Sequence, residues 1–191
     1  MKQIALLADT YPPLRTSGAV QLRDLSRAFV DQGYALTMMI PAANLGRPWS
    51  LEEFAGVQVL RLRAPRTKDI NYVRRTLNEF RLPFAMLDSL RLSPLAQMRW
   101  DGVVWYSPTI FLGPIARALK RASGCHGYLI IRDIFPEWAV DMGLMGRGLP
   151  YRFFKAVAGY QNGVADIIGV QTPANLAHFA DWANGPGRRL E

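Results

Sequence analysis

The 191-residue chain carries 23 Lys and Arg against 15 Asp and Glu, a formal net charge of +8 with a sequence pI near 10.1. Half of its residues are hydrophobic and only 20% are charged, enough apolar surface to offset the ordering entropy of a packed core, so disorder as the main state is excluded. The length fits one domain of ordinary size, no apolar run approaches the roughly 18 residues that cross a bilayer, and the few residues before Asp9 are too short for a secretory leader, so a cytosolic start is expected.

Taken in chain order, short apolar runs alternate with longer helical patterns, which is the signature of βαβ units and a parallel sheet. Residues 3–8 form the first expected strand, with an unbroken apolar run from Ile4 to Ala8 that suits a strand covered on both faces. A helix is expected to begin near Ser17, a good N-cap residue, and to end at Gly33, which can take the left-handed C′ conformation. Leu22, Leu25 and Phe29 fall at i, i+3 and i+7 and would cover the sheet. Strands follow at 35–40 and 57–62. The helical stretch 69–97 contains Pro83 and Pro94 and is expected to break into shorter pieces. After it come a strand at 102–106, a helix at 112–122, a strand at 128–131, helices at 136–142 and 151–163, a strand at 166–170 and a helix from 173 onward.

The expected fold is α/β: a doubly wound, mostly parallel Rossmann-like sheet of about six to seven strands with helices on both faces. Residues 1–183 make up that domain, and 184–191, beginning Asn184-Gly-Pro-Gly, read as a linker or tail.

Open α/β sheets bind ligands beyond the carboxyl ends of their strands, so the residues just after each strand are the candidates. After the first strand come Asp9, Thr10 and Tyr11, then a Pro-stiffened loop leading to Ser17-Gly18. No glycine precedes Gly18, so the G-x-G-x-x-G dinucleotide fingerprint is missing and hydride transfer is not supported. The loop delivers Ser17 and Gly18 to a helix N-terminus, where free N–H groups and the dipole suit a phosphate. The plainer alternative is that Ser17 only caps the helix.

After the fourth strand stands Trp105-Tyr-Ser107-Pro-Thr109, and after the fifth Arg132-Asp133-Ile-Phe-Pro-Glu137-Trp138. Asp133, Glu137 and Asp141 are spaced by four, so a helix that starts early would carry them on one face. Alternatively Asp133 caps the helix and Glu137 favours its dipole. Cys125 and His126 are adjacent in extended chain, point to opposite faces and read as structural. One cysteine and two histidines cannot make a disulfide framework or a four-ligand zinc site, and no metal is expected. No Asp-x-Asp occurs, so the carboxylate pair by which many transferases hold a metal-bound nucleotide diphosphate is missing, and without G-x-x-x-x-G-K-[ST] or G-x-S-x-G the P-loop kinase and serine hydrolase readings have no support.

The charge is uneven. Between Arg61 and Trp100 nine basic residues face three acidic ones, a local net of +6, with Tyr72, Phe80, Phe84 and Trp100 interleaved. Arg74, Arg75 and Arg81 are the expected membrane-facing residues, because basic and aromatic side chains on helices suit an anionic lipid surface or a pyrophosphate-linked lipid. The alternative is an ordinary solvated face in a chain with 19 Arg against 4 Lys. No nucleic-acid motif is present, and no nucleic-acid partner is expected.

Several words together resemble the N-terminal half of retaining GT-B glycosyltransferases of family 4, in particular those that build bacterial surface polysaccharides. They are Asp9-Thr-Tyr-Pro-Pro-Leu-Arg-Thr-Ser-Gly18, 25–34 leading into a strand, 106–113, Ile131-Arg-Asp-Ile-Phe-Pro-Glu-Trp138 and 165–172. The resemblance implies a two-domain enzyme whose first domain binds the acceptor and whose second, absent from this chain, holds a nucleotide-diphosphate sugar. The sugar donor is a substrate, and no cofactor or metal is implied. By the same resemblance Ser17 and Gly18 approach the donor pyrophosphate, Asp133 and Glu137 are catalytic, and Asp9, Tyr11, Ser107 and Arg132 line the acceptor cleft. Relatives often carry Gly-Gly where this chain has Ser17-Gly18, and the family's E-x7-E element belongs to the second domain, so this chain is expected to be inactive alone. The implied setting is transfer to a lipid-linked saccharide in lipopolysaccharide, O-antigen or capsule synthesis at the inner face of the cytoplasmic membrane. The other expectation is a non-catalytic Rossmann-like partner domain, with the Trp138 and Trp182 regions as its interface.

Overall fold

In the computed structural model, which describes residues 1–191, one sheet is built from β1 (Gln3–Leu7), β2 (Ala35–Ala42), β3 (Trp49–Phe54), β4 (Val57–Arg63), β5 (Gly102–Ser107), β6 (His126–Ile131), β7 (Ile167–Val170) and β8 (Arg189–Leu190). The spatial order is β3-β4-β2-β1-β5-β6-β7-β8, and all neighbours are parallel except β3 with β4. The chain runs outward from β1 through β2 to β4, then crosses to β5 and runs outward the other way. That reversal opens a crevice between the carboxyl ends of β1 and β5.

All six expected strands form, and two more were not legible. β3 folds back on β4 through Ala55 and Gly56, whose φ values of 51° and 78° are those of a type I′ hairpin turn. Its Glu52-Glu53 pair hides the strand pattern, yet charge is what an exposed edge strand carries. The 184–191 segment is not a free tail. Trp182 donates its indole N–H to the Asn162 carbonyl at 2.9 Å, Arg188 stacks over Trp182 at 5.2 Å, and Arg189–Leu190 then pairs with β7.

The helices are α1 (Ser17–Asp31), α2 (Tyr72–Arg91), α3 (Gly113–Ser123), α4 (Glu137–Asp141), α5 (Leu149–Val164) and α6 (Ala180–Ala183), with a 3₁₀ helix over Pro173–Phe179. The expected break at Pro83 does not occur: α2 is a single 20-residue helix. Pro83 is buried on the same side as Leu82, Met86 and Leu90, and Ser89 donates to the Arg63 carbonyl at 2.9 Å. Packing along that face outweighs the roughly 3 kcal/mol that an internal proline costs. α2 does end ahead of Pro94, as its second proline requires.

Side chains alternate between the two faces of each strand. Leu7, Val103, Trp105, Leu129 and Ile168 enter one core under α2, α3 and α5. Leu6, Met38, Val59 and Tyr106 enter a second core against Leu22 of α1. Both cores fix β1 and β5 from either side, which sets the crevice between them.

Candidate functional site

The first wall of the crevice is the N-terminus of α1. Thr16, not Ser17, is the N-cap: its Oγ1 accepts from the Ala19 N–H at 3.2 Å. The Ser17 hydroxyl is thereby released, and it accepts from Arg132 Nη2 at 3.0 Å. Arg132 Nη1 donates to the Tyr106 hydroxyl at 3.1 Å, and Tyr106 donates to Gln21 Oε1 at 2.7 Å. Arg132 thus lies across the start of α1, and its hydrogen bond to Tyr106 favours the protonated guanidinium still further. Gly18 makes this approach possible, because a Cβ there would stand 3.3 Å from Thr10 Cγ2 and 3.4 Å from Arg132 Nη1.

At the end of β1, Asp9 has a buried Oδ1 with no hydrogen-bond partner. Burial raises its pKa, while the charges of Lys68 and Arg75 act against that rise. Tyr11 does not line the cleft as expected. Its ring is 1% exposed and sits edge-on to Phe54 at 6.1 Å, so it belongs to the core. Ser107 is also buried, at the floor of the site, where Gln161 Nε2 donates to the Thr109 carbonyl at 3.1 Å and lies 3.4 Å from Ser107 Oγ. Gln161 Oε1 accepts from the Leu112 N–H at 3.0 Å, so the floor is a satisfied polar network.

The second wall follows β6. Asp133 and Glu137 do not cap α4, which begins with Pro136 at its N-cap and no side-chain cap. With Asp141 they line one open cleft of about 480 Å³, together with Arg132, Arg147, Asn175 and His178. A narrower recess of about 60 Å³ adjoins it and is lined by Ser107, Asp133, Glu137, Lys155, Gln161 and His178 among others. Glu137 Oε1 accepts from Lys155 Nζ and from the Tyr151 hydroxyl, the latter at 3.3 Å. Burial alone would raise the Glu137 pKa, but the hydrogen bonds and charge from Lys155 bring it below the usual carboxylate range. Burial lowers the His178 pKa, with Lys155 acting in the same direction and Glu137 against it. The net lowering favours the neutral imidazole of His178. No group of three or more His, Cys, Asp or Glu side chains is gathered as a metal would require.

Arg132 links the two walls: it bonds Ser17 beside Gly18 at the start of α1 and lines the open cleft with Asp133 and Glu137, a cleft that Ser17 and Gly18 do not line. Ser107 lines the narrower recess, and Asp9, at the end of β1, lines neither cavity. Lys155, Gln161 and His178 were missed in the sequence, because residues in the middle of a helix or a 3₁₀ turn carry no signal of what they face. Tyr106 and Gln21, which orient Arg132, were missed for the same reason. Arg74, Arg75 and Arg81 lie on the exposed side of α2, with Arg75 paired to Glu79 at 2.9 Å. Around them Tyr72, Val73, Leu77, Phe80 and Phe84 are exposed, and the Phe80 ring stands 6.0 Å from Phe84 and 6.5 Å from Phe153 of α5. Cys125 is half-buried and burial raises its thiol pKa, in keeping with a structural role.

No protein-family profile matches the chain, and no curated protein matches it. Solved structures do. Sucrose-phosphate synthase from Thermosynechococcus elongatus superposes with a TM-score of 0.69 at 12% identity, over 100% of this chain and 47% of that one. A second structure of sucrose-phosphate synthase from the same organism has a TM-score of 0.63 at 14% identity over 100% of this chain and 87% of its own. An α,α-trehalose-phosphate synthase from Burkholderia xenovorans in complex with glucose-6-phosphate has a TM-score of 0.62 at 15% identity, covering 96% and 43%. The fold is that of the Rossmann-like domains of GT-B glycosyltransferases. The chain spans about half the length of the intact synthases it matches.

Proposed function

We propose that the chain is the acceptor-side domain of a retaining GT-B glycosyltransferase that transfers a sugar from a nucleotide-diphosphate donor to a lipid-linked saccharide in bacterial lipopolysaccharide, O-antigen or capsule synthesis. The observation that carries this reading is Arg132, which is bonded to Ser17 at the start of α1 and lines one open cleft with Asp133 and Glu137. Arg132 is oriented by two side chains and presents its remaining N–H groups where a departing phosphate would carry charge, so its contribution is electrostatic and preset. Asp133, exposed in the open cleft, faces the acceptor hydroxyl. Glu137 holds Lys155 in place and acts as a positioning residue beside it. Metal-independent transfer is the chemistry this donor set suits.

The lipid-linked acceptor and a site at the inner leaflet rest on α2. Its exposed aromatic and aliphatic ridge is flanked by Arg74 and Arg81, which combines apolar insertion with attraction to anionic headgroups. The synthases with similar folds are named for sucrose phosphate and trehalose phosphate and not for a lipid, so the acceptor is where the test must bear. The natural full-length polypeptide, incubated with bacterial membranes and labelled nucleotide-diphosphate sugars, is expected to place label in the lipid fraction. Label only in water-soluble products would overturn the lipid acceptor. Flotation with anionic liposomes is expected to be lost in Arg74→Glu/Arg75→Glu and unchanged binding would remove the membrane contact.

A further inference from the structure

Between α2 and the open cleft runs an unbroken line of aromatic rings. Phe80 of α2 stands 6.5 Å from Phe153 of α5, Phe153 stands 5.3 Å from Phe154, Phe154 stands 5.1 Å from Phe135, and Phe135 stands 6.0 Å from Trp138 of α4. Trp138 is itself a wall residue of the cleft that holds Arg132 and Asp133. The middle of the line belongs to neither sheet core: Phe135 and Phe154 pack against Ile110, Phe111 and Ala158 in a separate small cluster. Half-buried there, they hold the more exposed rings in place.

Phe80, Phe153 and Trp138 are 48%, 41% and 41% exposed. Single exposed rings are ordinary, but a contiguous line of them marks a surface that is covered in use. Leu149, four residues before Phe153 and so on the same face of α5, widens the apolar surface, as does Met142, four residues after Trp138.

The cleft wall says what covers the line. Around one opening stand Asp133, an acceptor for a hydroxyl, Arg147, whose guanidinium carbon lies 5.9 Å from the Tyr151 ring centre, and Trp138. A carboxylate, a cation and an apolar ring match in turn the hydroxyl, the phosphate bridge and the hydrocarbon chain of a lipid-linked saccharide. A soluble sugar would leave the rings wet. A bilayer surface alone would be met by α2 and gives no reason for the line to enter the cleft.

We propose that the line from Phe80 through Phe153, Phe154 and Phe135 to Trp138 is the track on which the first stretch of the acceptor's hydrocarbon chain lies, between the α2 ridge and the saccharide in the cleft. The proposal rests on the glycosyltransferase reading above and adds a specificity site: Phe153, outside the cleft, makes the enzyme prefer a lipid-linked acceptor to a free saccharide.

The test gives the natural full-length polypeptide, with labelled nucleotide-diphosphate sugars, two acceptor preparations: lipid-linked saccharides extracted from bacterial membranes in detergent, and the same saccharides freed from their lipid by mild acid. Phe153→Ser is expected to raise the KM for the lipid-linked preparation about tenfold, as the loss of one apolar side chain's contact implies, and to leave the KM for the freed saccharides as in the parent. Phe153→Leu, which keeps an apolar side chain, is expected to restore most of the affinity. An equal change for both preparations, or none for the lipid-linked one, would overturn the track and leave the transferase reading standing. A loss of flotation on acceptor-free anionic vesicles in Phe153→Ser, in proportion to its loss of transfer, would overturn the track in favour of a general membrane contact. No transfer to the lipid-linked preparation by the parent would overturn the lipid acceptor itself, and the track with it.

Discussion

The carboxylates at the two ends of the strands live in opposite circumstances. At the amino end, Asp101 Oδ2 accepts from the Gln3 N–H at 2.7 Å, and Asp166 Oδ2 accepts from the Gly127 N–H at 2.6 Å and from Lys120 Nζ at 2.7 Å. Burial alone would raise the Asp166 pKa, yet those partners bring it below the usual value, so the charged form is favoured by the fold. At the carboxyl end, Asp9 has a buried oxygen without a partner and a raised pKa, and Asp133 is exposed in a cleft with no hydrogen bond from the protein. The amino end ties its carboxylates into the fold; at the other end Asp9 is held at a cost, Asp133 is left without a protein partner in the cleft, and Glu137 is paired with Lys155.

That contrast can be broken by substitution. The largest effect is expected at Arg132: in the full-length enzyme Arg132→Gln should reduce transfer by about 10²- to 10³-fold, the loss typical of one preset electrostatic donor. Arg132→Lys should restore it only in part, because an ammonium lacks the planar fork whose two nitrogens reach Tyr106 and Ser17 separately. Near-normal transfer in both variants would remove Arg132 from the site.

At the opposite end, Asp166→Ala is expected to cost about 2 kcal/mol of stability by leaving the Gly127 N–H and Lys120 unmatched, without a direct effect on chemistry. The pH dependence has a definite sign. A folded-state pKa below the unfolded one contributes stability that is present above the unfolded value and lost as pH falls through the carboxylate range. Thermal denaturation in acid should therefore show a shallower pH slope in the variant than in the parent.

The smallest effect is expected at Asp9, with the opposite sign. A raised folded-state pKa means that ionisation costs stability at neutral pH, so Asp9→Asn should raise the melting temperature slightly, by the equivalent of about 1 kcal/mol or less. A fall in melting temperature would show that Asp9 is a structural acid like Asp166.

Much of this was legible in the sequence because the strands are apolar runs and the turns are punctuated. The position of Asp133 and Arg132 directly after a strand was enough to mark them. By contrast, Asp133 and Asp166 look equally plain as residues, and only register tells that one follows its strand while the other precedes it. β8 pairs through two residues and carries no pattern of its own. Pro83 misled because its local penalty is set against packing by distant residues. Tyr11 misled because proximity to a site loop says nothing about which way a ring turns.

The central claim is that the carboxyl-end crevice performs the chemistry while the amino-end acids hold the fold. The direct test is to measure both transfer rate and melting temperature for Asp133→Asn in the full-length natural enzyme. The expected result is a transfer rate reduced about 10²-fold with the melting temperature unchanged. Full transfer activity in Asp133→Asn, or a loss explained by a matching fall in melting temperature, would contradict it.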